Sequence, residues 1–342
     1  MSRTCPTFVR LILPLAAATL AAGFAPVAHA QQPYKVQAQW KIGGQGGWDY
    51  LKDDSATHRL YISHGPQVDA IDTESGKAVG AITGLGHTHG IALSQDGKTG
   101  FISDGGASAI VVFDTATFKV LSSIPAGKNP DGITYDAGTD TVWAFNGGSN
   151  DATVASAADR KSLGTVALPG RPEFPVADGH GTVFANIESK NELVRIDVKS
   201  QKVTAVWPLA GCDSPSGLAI DTAGMRLFSV CDGNKMIVTD AHTGKLLGSP
   251  SIGKGPDADR YDAKNNIAIS SNGEGTMTFI DASKPDYPVL QTLATGRGAR
   301  TMALDDATGK IYTCTAKMGA PKPGQRYPSI VPDTFTVYVI GR

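Results

Sequence analysis

Charge is scarce in this chain of 342 residues. Asp, Glu, Lys and Arg make up 18% of it, and 31 basic residues are set against 32 acidic ones. No basic stripe is left to track a phosphate backbone, so nucleic acid is not expected as a partner. Aromatic residues are also few, at 7%. Beyond the first thirty residues no apolar run is long enough for a membrane-spanning helix, so no span is expected there. The sequence has no G-x-S-x-G elbow, P-loop, dinucleotide fingerprint or H-E-x-x-H pair, which removes the commonest motif-borne chemistries. Its four cysteines include no C-x-x-C-H, which excludes covalent c-type haem.

The single long apolar stretch, Leu11 to Val27, follows Arg3 and Arg10, is broken by Pro14 and Pro26, and ends at Ala28-His29-Ala30. A charged start, an apolar middle and a small-x-small end make the pattern of a cleaved secretory signal. Residues 1–30 are expected to be removed after Ala30. The remainder, 31–342, is expected to be a single domain, periplasmic or secreted. Disulfides persist in such compartments, and Cys212 and Cys231 flank one expected hairpin closely enough to form one. Cys314 reads as a small buried residue of an inner strand.

What the chain does have is glycine, 40 residues, and proline, 20, together with a repeat. A turn leads into a short apolar strand, then a polar hairpin, a second strand, a third ending near Asp, and a fourth. Anchored on the second strand, the series reads Tyr61, Phe101, Trp143, Phe184, Phe228, Ala268 and Tyr312, spaced 40 to 44 residues apart. The third strands end in Ile71-Asp72, Phe113-Asp114, Ile196-Asp197, Thr239-Asp240 and Ile280-Asp281. Four short strands at this period predict an all-β, seven-bladed propeller of four-stranded antiparallel blades. Val36 to Ile42 has the character of an outer strand, and Thr334 to Ile340 is a third strand without a successor. Pairing the two closes the ring and removes an open edge. Asp-Gly clusters such as Asp96-Gly97 fall regularly between strands and are read as hairpin turns rather than calcium loops.

In a propeller the loops entering the innermost strands meet at one mouth of the central channel. Counting from the anchors places Asp49, His89, Asp131, Glu173, Ser216, Ala258 and Arg300 at that rim. Asp257 and Asp259 flank the sixth position, and Trp48, His87 and Arg297 lie nearby. Such a funnel suits a divalent cation, an anionic small molecule or ordered water. His87 and His89, two apart in an extended segment, project to one side, so both imidazoles are candidate ligands for a divalent metal, with Asp49 or Asp131 adding oxygen. The segment 317–333 carries Pro321, Pro323, Pro328 and Pro332 and is long for a connection inside a compact domain.

The recurring pattern of Val112-Phe113-Asp114-Thr115-Ala116-Thr117-Phe118-Lys119-Val120 resembles the YVTN-type repeat of bacterial YncE-like β-propellers. Gly211-Cys212 through Asp221, Arg297 through Asp305 and the closing Pro332 to Arg342 are similar to that group as well. The resemblance spans most of the chain after the leader and implies a seven-bladed, exported propeller, with no catalytic residues to carry over. The expected function is non-catalytic binding of a ligand or protein at the channel mouth and top loops, by a monomer. Two rivals stand beside it. One is a lactonase-like, metal-dependent hydrolase at the same mouth; the other is an accessory that docks to periplasmic redox enzymes through the proline-rich loop.

Overall fold

The computed structural model describes residues 1–7, 32–321 and 329–342. Most of the expected leader, its cleavage point and the centre of the proline-rich loop therefore lie outside the described residues. Among the described residues no helix is long and apolar enough to cross a membrane. Residues Pro33–Arg342 form one compact unit. It consists of seven four-stranded antiparallel sheets arranged as a propeller, and its one helical element among the described residues is a single 3-10 turn, Glu188–Lys190. The innermost strands are Trp48–Asp54, Thr88–Leu93, Pro130–Asp136, Pro172–Ala177, Pro215–Asp221, Pro256–Asp262 and Met302–Leu304.

The repeat has a local cause. At the end of the third strand, Asp72, Asp114, Asp197 and Asp240 each accept two bonds from the residue three further on. The donors are the backbone N–H and the hydroxyl of Ser75, Thr117, Ser200 and Thr243, at 2.5–2.8 Å. These hydroxyl bonds hold the four carboxyls below the usual carboxylate range. The turn so formed directs the chain into the outer strand. Blade three has Ser156 instead of Asp: the Asp159 N–H still donates to its side-chain oxygen at 3.0 Å, while the side-chain bond reverses, the Ser156 hydroxyl donating to the Asp159 carboxylate at 3.3 Å. The residue after each donor has a positive φ, and in blade one it is Gly76, at +69°. A Cβ on Gly76 would lie 2.4 Å from the Trp40 ring, so the turn of blade one is shaped to receive an aromatic from the chain's first strand.

That strand, Lys35–Lys41, pairs antiparallel with Thr336–Gly341 and supplies the outer edge of the last blade. The ring is closed as the sequence predicts. Packing is distributed around it in seven apolar clusters, and each joins two neighbouring blades. Six of the seven expected anchors are fully buried members of the cluster facing the next blade. The sixth blade requires a correction. Ala268 faces backwards, into the cluster shared with blade five, and Ile269 occupies the anchor position facing blade seven. A slip of one residue along a strand exchanges its faces. The aromatic bulk at this interface comes from Phe279, stacked on Tyr34 with ring centroids 3.9 Å apart.

Cys212 and Cys231 form a disulfide, with Cα atoms 5.4 Å apart. It fastens the loop entering blade five to the end of that blade's second strand. Cys314 is fully buried, in the second strand Ile311–Thr315 rather than the innermost one expected, and burial pushes its thiol well up.

Removing residues 33–43 takes Tyr34 from one inter-blade cluster and Trp40 from another, so it should lower the melting temperature of the whole ring in one cooperative transition. Tyr34→Ala alone should cost about 3 kcal/mol, the usual penalty for a buried aromatic, read from the urea midpoint. An unchanged melting curve for the truncated chain would contradict closure by this strand.

Candidate functional site

The rim residues lie at the start of each innermost strand, and in five of the seven blades their backbone is held by the neighbouring blade. The Ser63 hydroxyl donates to the His89 carbonyl, Ser103 to that of Asp131 and Ser271 to that of Arg300. The Thr301 hydroxyl reaches the Asp49 carbonyl at 2.6 Å, and the Asn186 amide that of Ser216 at 3.0 Å. Bonds of this kind between blades fix the rim before any ligand arrives.

Asp49, His89 and Asp131 come together on one side. The imidazole Nδ1 of His89 lies 2.7 Å from Asp49 Oδ2 and 3.6 Å from Asp131 Oδ1, and the three residues offer ligand atoms within 4.8 Å of one another. Burial, the largest influence on His89, opposes its charge. The bond to Asp49 and the field of Asp131 outweigh it, and the imidazole pKa is raised. Its Nε2 is buried without a hydrogen-bond partner. Asp131 is pushed up to about 6 by burial and by Asp49. Glu173 is raised well above its usual value by burial, Asp131 and Asp257. Asp257 pairs with Arg300 at 3.2 Å, yet burial still lifts it to about 7. The mouth is thus a ring of carboxyls that burial first, and their mutual repulsion second, hold above the usual carboxylate range.

Several other expected site residues take different positions. The sixth rim residue is Asp257, because counting from the corrected anchor Ile269 moves the position by one; Ala258 is buried in the cluster shared with blade seven. Asp259 is fully buried, with neither carboxylate oxygen partnered, and burial raises its pKa well above the usual range. His87 is exposed and stands edge-on to His89, ring centroids 4.6 Å apart, outside the Asp49–His89–Asp131 group. Trp48 packs into the core against Phe335. The Ser216 hydroxyl is engaged by the Pro256 carbonyl at 3.0 Å. Arg297 is exposed, and its carbonyl accepts a bond from Thr315.

Beneath the rim, Tyr50 and Phe174 stack across the channel with centroids 5.0 Å apart, and the Arg260 guanidinium lies 5.1 Å from the Phe174 ring. Sequence reading did not single out these residues. The signal for them is the position after each rim residue. In five blades it is Gly90, Gly132, Gly217, Ala258 and Thr301, and in the other two it is Tyr50 and Phe174. On the mouth side, the stem of the proline-rich loop is closed by a bridge between Met318 and Ile330, with Ile330 packed on the cluster that contains Trp48.

Neither a family model nor a curated protein matches this chain. Solved structures match its fold. The WD40 repeats of RRP9 superpose with a TM-score of 0.75 at 10% identity, covering 90% of this chain and 97% of that one. U3-55K gives 0.74 at 10% identity, over 89% and 98%. A chain of Kuenenia stuttgartiensis hydrazine synthase gives 0.68 at 16% identity, over 85% and 96%. At such identities the likeness is one of fold.

The acidic mouth predicts a pH dependence. Glu173 has a folded pKa above its ordinary 4.5, so between those values the folded chain holds a proton that the unfolded chain releases. Stability therefore falls as pH rises through that window. Glu173→Gln should melt with wild type at pH 4 and above it at pH 8; equal melting at both would show that the carboxyl is not strained.

Proposed function

We propose that the protein is an exported propeller of the YncE-like kind that binds a partner through the channel mouth and top loops, without catalysing a reaction. The observation that carries this reading is the rigid, partly desolvated carboxyl rim on the same face as the stem of the 317–333 loop. The polar groups there already engage one another. The imidazole of His89 is turned to Asp49, Arg300 to Asp257, and the Ser216 hydroxyl to a backbone carbonyl. No hydroxyl is paired with the His89 imidazole among the described residues, so the usual nucleophile–base arrangement is missing there. The turn geometry behind the YVTN-like repeat and the leader-like first thirty residues support the family and the export. Solved structures of the same fold include WD40 repeats, an architecture in keeping with a binding module.

The test uses envelope extract from the producing cell and compares three immobilised chains by quantitative mass spectrometry: wild type, Asp49→Asn/Asp131→Asn, and Lys52→Gln at the other end of the channel. A species retained by wild type and by Lys52→Gln but lost from the double variant supports the mouth as the binding face. Equal retention by all three, or by none, overturns it.

A second reading is favoured by the Asp49–His89–Asp131 group, whose donor set suits a divalent metal and would make the mouth a lactonase-like hydrolytic site. Under this reading the purified protein carries one equivalent of metal, His89→Ala loses it, and lactone turnover disappears with it. A protein free of metal by elemental analysis, whose melting temperature ignores Zn²⁺ and Mn²⁺, removes the reading.

A further inference from the structure

The channel below the Tyr50–Phe174 stack is a cavity of about 400 Å³ lined by residues of all seven innermost strands, a volume in the range of small-molecule sites. One layer of its wall is formed by the residues that pair with the seven anchors. Lys52 opposite Tyr61 and Arg260 opposite Ile269 are the charged members; the other five are Ala, Thr or Val. Among the described residues neither cation is ion-paired. The Lys52 ammonium makes no hydrogen bond there, and the side-chain bond of Arg260 goes to the carbonyl of its own neighbour, Asp259, at 2.6 Å. The enclosing strands and the field of Arg260 together lower the Lys52 pKa. Two cations that line one cavity without an ion pair are a site that an anion would complete.

We propose that this lower cavity binds a small organic anion, with its carboxylate or phosphate group between Lys52 and Arg260 and its apolar body against the wall. The guanidinium offers a planar fork of donors and the ammonium a compact charge, a pairing suited to an oxyanion. The face of Phe174 already carries Arg260 and holds its guanidinium in place. Half-buried Leu93, Val176 and Ile220 give the ligand's hydrocarbon part a surface to cover. Asp53 and Asp306 line the same cavity; Asp306 acts on both cations and Asp53 on Lys52, which offsets part of their charge. This site lies at the opposite end of the channel from the mouth and does not depend on what the mouth binds.

Benzoate and phenyl phosphate, titrated calorimetrically into the chain lacking residues 1–30, test the proposal and separate the two oxyanions. Binding of either probe is expected, weakened at least tenfold in Lys52→Gln and in Arg260→Gln and unchanged in Arg300→Gln at the mouth. Lys52 is exposed, so its variant folds even if the Arg260 variant does not. No heat with either probe, or equal affinity in Lys52→Gln, overturns the proposal.

Discussion

Closure of the ring by a strand from the far end of the chain is the constraint on which the rest of this structure depends. The molecule has no common core; its apolar surface is divided among seven interfaces, each made by two blades. A blade at an open end would expose one such face and an unpaired strand edge. The segment Lys35–Lys41 removes both, placing Tyr34 on Phe279 and Trp40 on Tyr312. Because the circle is complete, the rim positions stand at fixed distances from one another, and residues hundreds of positions apart in sequence act as one surface.

That rigidity gives the electrostatics their character. In a flexible loop, Asp49, Asp131, Glu173 and Asp257 would spread apart and ionise normally. The hydroxyl and amide bonds from neighbouring blades hold the backbone beneath most of the rim, so the carboxyls remain close and partly desolvated. Protonation, pairing with Arg300 or association with an external cationic group are the ways to relieve the mouth, so the proposed binding there would be linked to pH. The lower channel shows the same principle with opposite sign, where Lys52 and Arg260 are held in one layer of the wall.

Much of the architecture was legible because the repeat is written in short-range chemistry. The Asp at the third-strand end and the Ser or Thr three residues later form the same turn in blade after blade, and that pair is visible in sequence. The buried aromatics followed from the period. The exception was instructive: with no aromatic in the sixth second strand, Ala268 and Ile269 could not be told apart by spacing, and the wrong choice placed Ala258 rather than Asp257 at the rim. The proline before the rim residue in four blades, Pro130, Pro172, Pro215 and Pro256, gives the better register. Side-chain direction was harder to read. The burial of Asp259 and Trp48, and the outward position of His87, depend on which face each strand turns to its neighbour. The Tyr50–Phe174 stack joins blades one and four across the axis, and nothing local in sequence couples those positions.

The same stack decides what the axis can be used for. With two rings and a guanidinium packed at its waist, the axis narrows between the acidic mouth and the cavity below. Tyr50, Phe174 and Arg260 line both the mouth-side pocket and the cavity below, so a shift in the stack is felt at both ends.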